Sequence, residues 1–135
     1  DIIFIMLTER FFYKFAWNFI EILYESYYPD HLRDVPYYYQ TQIITDYNWF
    51  DLVVEDANRR QISISKAMKD HAAYQIWKHE QEGILTKDAG YYAMKMRNDS
   101  VWTSKLDAKA KLNGISLEEQ IELDARWLEI QEAKN

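Results

Sequence analysis

Apolar positions recur along this chain at the spacing of a helix face. Trp49, Val53 and Ala57 lie four apart, as do Trp102, Leu106 and Ala110, and a step of four returns a side chain to nearly the same side of a 3.6-residue turn. A second pair of stripes follows: Ile64, Met68, Ala72 and Ile76, then Leu117, Ile121, Ala125 and Leu128. Each stripe carries a start signal. Asp46 and Asp99 stand three residues before Trp49 and Trp102, where a carboxylate accepts from the open N–H groups of a first turn. Ser63 and Ser116 cap the next stripes, and Ser116 with Glu119 forms an S-x-x-E capping box. Asn113–Gly114 supplies the left-handed residue that closes a helix, whereas Arg60–Gln61 carries a weaker signal at the corresponding place.

These stripes coincide at an offset of 53. Tyr38 and Tyr39 fall on Tyr91 and Tyr92, Asp46 on Asp99, Trp49 on Trp102, Ala57 on Ala110, Ser63 on Ser116 and Ala72 on Ala125, with no insertion. The matches are mostly apolar or capping positions, which are what a fold preserves. The expectation is an internal repeat of three helices, period 53, with repeat unit 1 over 34–81 and repeat unit 2 over 87–133. A shorter helix opens each, at about Pro36–Ile44 and Lys87–Arg97, and the small residues Ala57, Ala72, Ala110 and Ala125 let neighbouring helices approach closely.

Ahead of both units the pattern predicts a lead helix over 8–28. Its polar residues Lys14, Asn18, Glu21 and Glu25 make one narrow stripe, and Phe11, Phe12, Phe15, Trp17, Phe19, Ile20, Ile22 and Leu23 fill the other sides. A helix apolar on most sides belongs inside a bundle or at a subunit contact. By position it stands where the last helix of a preceding unit would be. Two repeats are fewer than an open solenoid needs. The expected fold is therefore all-α: a single helical domain over 1–135, a compact bundle of about seven helices with the lead helix filling its core.

Composition narrows the classes. Hydrophobic residues at 48% and aromatics at 16% supply ample core material, and three Gly with two Pro are few for the turns of an all-β protein. A net charge of −6 argues against a nucleic-acid partner, which needs a basic surface. The absence of Cys excludes disulfides, Cys-based zinc sites and thiol catalysis. "DIIFIML" is apolar but short and runs into Glu9 and Arg10. Neither a signal peptide nor a membrane span is expected, so a soluble protein, cytoplasmic by default, is the expectation, with Met6 as an alternative start.

Candidate chemistry is sparse. His79-x-x-Glu82 has the spacing of two metal ligands on one helix turn, but a bridged site needs that motif from two helices. Leu123, Asp124 and Glu132 stand where a second copy of Asp70, His71 and His79 would be. His31 adds no motif, and neither HExxH, GxSxG nor a glycine-rich phosphate loop is present. The carboxylates Glu118, Glu119, Glu122 and Asp124 open a helix, where its dipole stabilises each by about 0.3–1 kcal/mol. No catalytic residue, metal ligand or cofactor is assigned. Tyr27, Tyr28 and Tyr37 do not recur at the offset, and Tyr suits surfaces with one buried and one wet end. With Phe12 they form the candidate interaction surface. The expected function is a non-enzymatic helical protein-interaction module that binds a protein partner or self-associates. The alternative is a metal- or small-molecule-binding bundle, in one form an enzyme, built on His71, His79 and nearby carboxylates.

Overall fold

The structure, a computed structural model, describes residues 2–27 and 32–135, with side chains from 10 to 23 and from 32 onward. The described residues form seven helices and no strand: α1 (Ile2–Tyr27), α2 (Val35–Thr45), α3 (Tyr47–Arg60), α4 (Ile64–Gln81), α5 (Ala89–Asn98), α6 (Ser100–Asn113) and α7 (Leu117–Ala133). They divide into two compact units. The first holds α1, α2 from Pro36 on, α3 and α4; the second holds Leu32–Val35 and α5, α6 and α7.

In the first unit α3 packs on α4. Phe50, Val53, Val54 and Ala57 meet Ala67, Met68, Ala72 and Ile76 as fully or nearly buried residues. Ile43 and Ile44 of α2 are buried too. The Tyr39 hydroxyl lies 2.6 Å from His79 Nδ1, joining α2 to α4, and His79 Nε2 meets the Gln75 amide at 2.9 Å. The helix α1 sits on α2 and α3 through one side. The Trp17 indole N–H donates to Thr41 Oγ1 at 3.0 Å, and its ring stacks on Tyr37 with centroids 5.3 Å apart. Arg10 pairs with Asp51 at 2.9 Å, donates to the Tyr47 carbonyl and lies 3.3 Å over the Tyr47 ring. A cation over an aromatic face contributes about 0.5–1 kcal/mol at such partly exposed sites.

In the second unit α5, α6 and α7 pack on one another. Ala89, Ala93, Met96, Leu106, Ile121 and Ala125 are the buried centre, ringed by Leu32, Tyr92, Trp102, Leu117 and Leu128. The Leu32–Val35 segment is clamped to the start of α5: the Arg33 guanidinium donates to both Asp88 carboxylate oxygens at 2.8 and 3.2 Å and to the Thr86 carbonyl at 3.3 Å. Gly90 makes this approach possible, because a Cβ there would stand 2.1 Å from the Arg33 carbonyl oxygen.

The middle helices of the two three-helix stretches have matching limits. The helices α3 and α6 begin at Tyr47 and Ser100 and end at Arg60 and Asn113, each 53 residues apart. Asp46 accepts from the Trp49 N–H at 3.1 Å and Asp99 from the Trp102 N–H at 3.0 Å. Ser63 accepts from Lys66 and Ser116 from Glu119, at 3.0 and 3.1 Å. All four caps anticipated from the spacing are therefore made. Gln61 ends α3 at φ 55° as Gly114 ends α6 at φ 69°, and Ile62 and Ile115 both donate back to Ala57 and Ala110 at 3.1 Å. The weak stop signal at Arg60–Gln61 hides a left-handed residue held by that return bond. Ala57, Ala72, Ala110 and Ala125 are each at most 1% exposed, and their size sets how closely α3 meets α4 and α6 meets α7.

Three expectations change. The lead helix begins at Ile2 rather than at residue 8. The helix expected from Lys87 begins at Ala89, because Asp88 accepts from the Tyr91 N–H at 2.9 Å and caps it. The largest difference is α1 itself: it does not fill a core. Its described apolar residues are mostly exposed, because Arg10, Tyr13 and Trp17 face its unit and the phenylalanines do not.

Candidate interaction surface

At 100° per residue, Phe11, Ile22, Phe15, Phe19 and Phe12 fall in that order within about a third of a turn on α1. They are 73%, 64%, 66%, 57% and 64% exposed, and the Phe11 and Phe15 rings lie nearly parallel with centroids 6.5 Å apart. Leu23 extends the same face. The result is a continuous apolar surface opposite the side that holds α1 to its unit. Single exposed apolar residues are ordinary; a contiguous aromatic face of this kind is not.

The sequence-based candidates divide accordingly. Phe12 lies on this face. Tyr37 is half-buried and its ring is engaged with Trp17 inside the unit. The Tyr27 side chain and all of Tyr28 lie outside the described residues, as does His31. The density of Phe11, Phe15, Phe19 and Ile22 suits a core or a subunit contact alike, and the structure leaves them exposed. The signal that distinguishes them is the position of Arg10, Tyr13 and Trp17, whose polar atoms need partners and so turn inward.

His71 and His79 belong to separate networks. His71 Nε2 lies 3.2 Å from Asp56, which also accepts from Arg59 at 2.6 Å and from Arg60 at 2.9 Å. Arg60 continues to Asp70 at 2.9 Å, and Lys66 reaches Asp70 at 2.8 Å. The Arg60 and Arg59 guanidiniums, with His71 adding to them, pull the Asp56 carboxyl from 3.8 down to about 2 against the opposing effect of burial. Lys66, then Arg60, lowers Asp70. A carboxylate held ionised by three donors is a poor proton shuttle at neutral pH. Among the described residues no three His, Asp or Glu side chains converge as metal ligands.

The second unit carries its own network at the same register. Lys109 reaches Asp124 at 3.0 and 3.1 Å; Gln120, nearly fully buried, donates to Asp124 at 2.8 Å and accepts from Asn113 at 2.9 Å. An offset of 53 carries Asp56 onto Lys109 and His71 onto Asp124, so the position pair is linked in both units with its acidic and basic members exchanged. Glu118 and Glu122 are likewise paired, with Arg97 and Arg126 at 2.8 and 3.0 Å, so the helix dipole is only part of what holds these carboxylates. Beside this network Met96, Trp102, Leu123, Trp127 and Leu128 line a largely apolar groove.

No helix among the described residues is long and apolar enough to cross a membrane. Compared with known proteins, the chain matches no family model, no curated protein and no solved structure.

Proposed function

We propose that the chain is a non-enzymatic protein-interaction module that receives a partner helix on the outward face of α1. The observation that carries this reading is the exposed Phe11–Phe12–Phe15–Phe19–Ile22 face on a helix already anchored from its other side. Register supports it and names the partner's chemistry. Taking the two three-helix stretches as copies of one design, the same offset places Phe11, Phe15, Phe19 and Leu23 of α1 at Ile64, Met68, Ala72 and Ile76 of α4. Those α4 residues pack on α3, and Leu117, Ile121 and Ala125 of α7 pack on α6. The face of α1 thus has the makeup of a helix-packing face. It suits a helix with a narrow aromatic–aliphatic–Ala stripe at a spacing of four, as in Trp49, Val53 and Ala57. Such helix-in-groove recognition rests on apolar anchors three and four apart.

The test uses a labelled peptide spanning Asp46–Gln61 as the partner helix, titrated with the full chain and followed by fluorescence anisotropy. Saturable binding with Kd of order 10 µM is expected, as for a single short helix with few anchors. Phe15→Asp weakens it at least tenfold, and Leu112→Asp, on the exposed side of α6, leaves it unchanged. Binding indifferent to Phe15→Asp, or none up to about 500 µM peptide, refutes the reading.

A further inference from the structure

The outer edges of α4 and α7 carry large apolar residues at matching positions and opposite charges beside them. Tyr74 and Trp77 on α4, and Trp127 and Ile130 on α7, are each more than half exposed. They stand at matching positions of the two helices, since an offset of 53 carries Tyr74 to Trp127 and Trp77 to Ile130. None of them serves the core of its own unit, which Ala72 and Ile76, or Ala125 and Leu128, already form. Two turns earlier on the same edges α4 has Lys66 and Lys69, where α7 has Glu119 and Glu122. Lys66 and Glu122 hold partners on their own helices, Asp70 and Arg126, at 2.8 and 3.0 Å. Exposed pairs of that kind contribute little and yield to an intermolecular partner. The edge of α7 gains a further apolar residue, Leu123, where α4 has Asp70.

We infer that the chain binds a second copy of itself head to tail, the α4 edge of one copy lying alongside the α7 edge of the next. Parallel alignment sets Lys66 and Lys69 against Glu119 and Glu122 while Tyr74 and Trp77 meet Trp127 and Ile130. Charge complementarity selects this pairing. In the same parallel alignment two α4 edges would oppose Lys to Lys, and two α7 edges Glu to Glu, so like edges are disfavoured there. Because the two edges differ and every copy carries both, each contact leaves one of each edge open. The association is heterologous and grows with concentration, ending where the remaining edges also meet and close the assembly, at two copies or more. A contact of two helix edges with exposed, screened charges is weak, and a Kd of order 10–100 µM is expected.

Light scattering across protein concentration tests this on the full chain. The weight-average mass rises with concentration in about 50 mM salt, and the rise weakens several-fold in about 500 mM salt as the charges are screened. The double variant Lys66→Glu/Lys69→Glu loses association at least tenfold, and so does Glu119→Lys/Glu122→Lys. Mixing the two restores it, because each then offers an edge complementary to the other. Circular dichroism of each variant alone establishes that its helices are retained. A wild-type mass that stays monomeric to about 500 µM, or association that neither charge reversal changes, overturns the inference; so does failure of the mixture to associate when both variants are folded. Phe15→Asp leaves this association intact, which separates it from binding at α1.

Discussion

The α3–α4 pair and the α6–α7 pair share a frame and differ in nearly everything polar built on it. Caps at Asp46 and Asp99, return bonds from Ile62 and Ile115, and buried Ala57, Ala72, Ala110 and Ala125 hold both pairs alike. Across the seam, Asp56 faces His71 in one pair and Lys109 faces Asp124 in the other. One helix outward the contrast repeats: Tyr39 bonds His79, while Tyr92 lies in the field of Glu132 and Glu129, and burial, with those carboxylates adding to it, pushes its hydroxyl pKa up. The difference teaches that caps and small residues dictate helix placement, while a polar contact at a given position can change sign as long as both partners change together. A lone substitution at such a position leaves a like-charge pair or an unpaired donor, which is costly where water is partly excluded.

The sharpest break in the comparison lies at the start of α5. Tyr37 stands in α2 where Gly90 stands in α5, and only the latter lies against a strap of chain. Gly90→Ala should lower stability by about 2–3 kcal/mol, because backbone rather than a flexible side chain obstructs the new Cβ. Urea unfolding measures it, and an unchanged midpoint would mean that Leu32–Val35 does not rest on α5. The helix ends give a smaller effect of opposite signs. Gln61→Gly relieves a left-handed residue with a side chain and should add about 0.5–1 kcal/mol, whereas Gly114→Gln should remove about 1 kcal/mol. Equal shifts of one sign would show that the two ends are not equivalent.

The smallest effect is confined to acid. Asp56 has a folded pKa of about 2 against an ordinary 3.8. A depressed carboxylate stabilises the fold fully above its unfolded pKa, and this contribution disappears as pH falls through the folded value. The unfolding-midpoint gap between wild type and Asp56→Asn should therefore be level from about pH 7 to about pH 5 and close between about pH 4 and about pH 2. A gap that persists undiminished at about pH 2 would remove the Arg60 and Arg59 pairing as its cause.

Much of the architecture was legible in the chain. Seven helices, four caps and the core stripes through Met68, Ala72, Ile121 and Ala125 follow from periodicity and from residues whose hydrogen bonding is local, so neighbours in sequence suffice to specify them. The start of α5 lies past Lys87 because Asp88, a preferred N-cap residue, takes the Tyr91 N–H. The Asp56–His71 and Lys109–Asp124 pairs are not legible position by position, because acid and base exchange places between the two stretches. They become a shared feature only when both ends of each contact are known.

What the sequence determined by itself is the set of helices and the face each one buries within its own stretch, since a period of 3.6 and a capping side chain act over a single turn. What tertiary structure alone decided is which side of α1 turns inward. Hydropathy favours burying its phenylalanines, yet the indole N–H of Trp17 and the guanidinium of Arg10 find Thr41, Tyr47 and Asp51 on the opposite side. Those partners lie 24 to 41 residues away along the chain, beyond the reach of any local pattern, and satisfying them leaves the aromatic face of α1 outward.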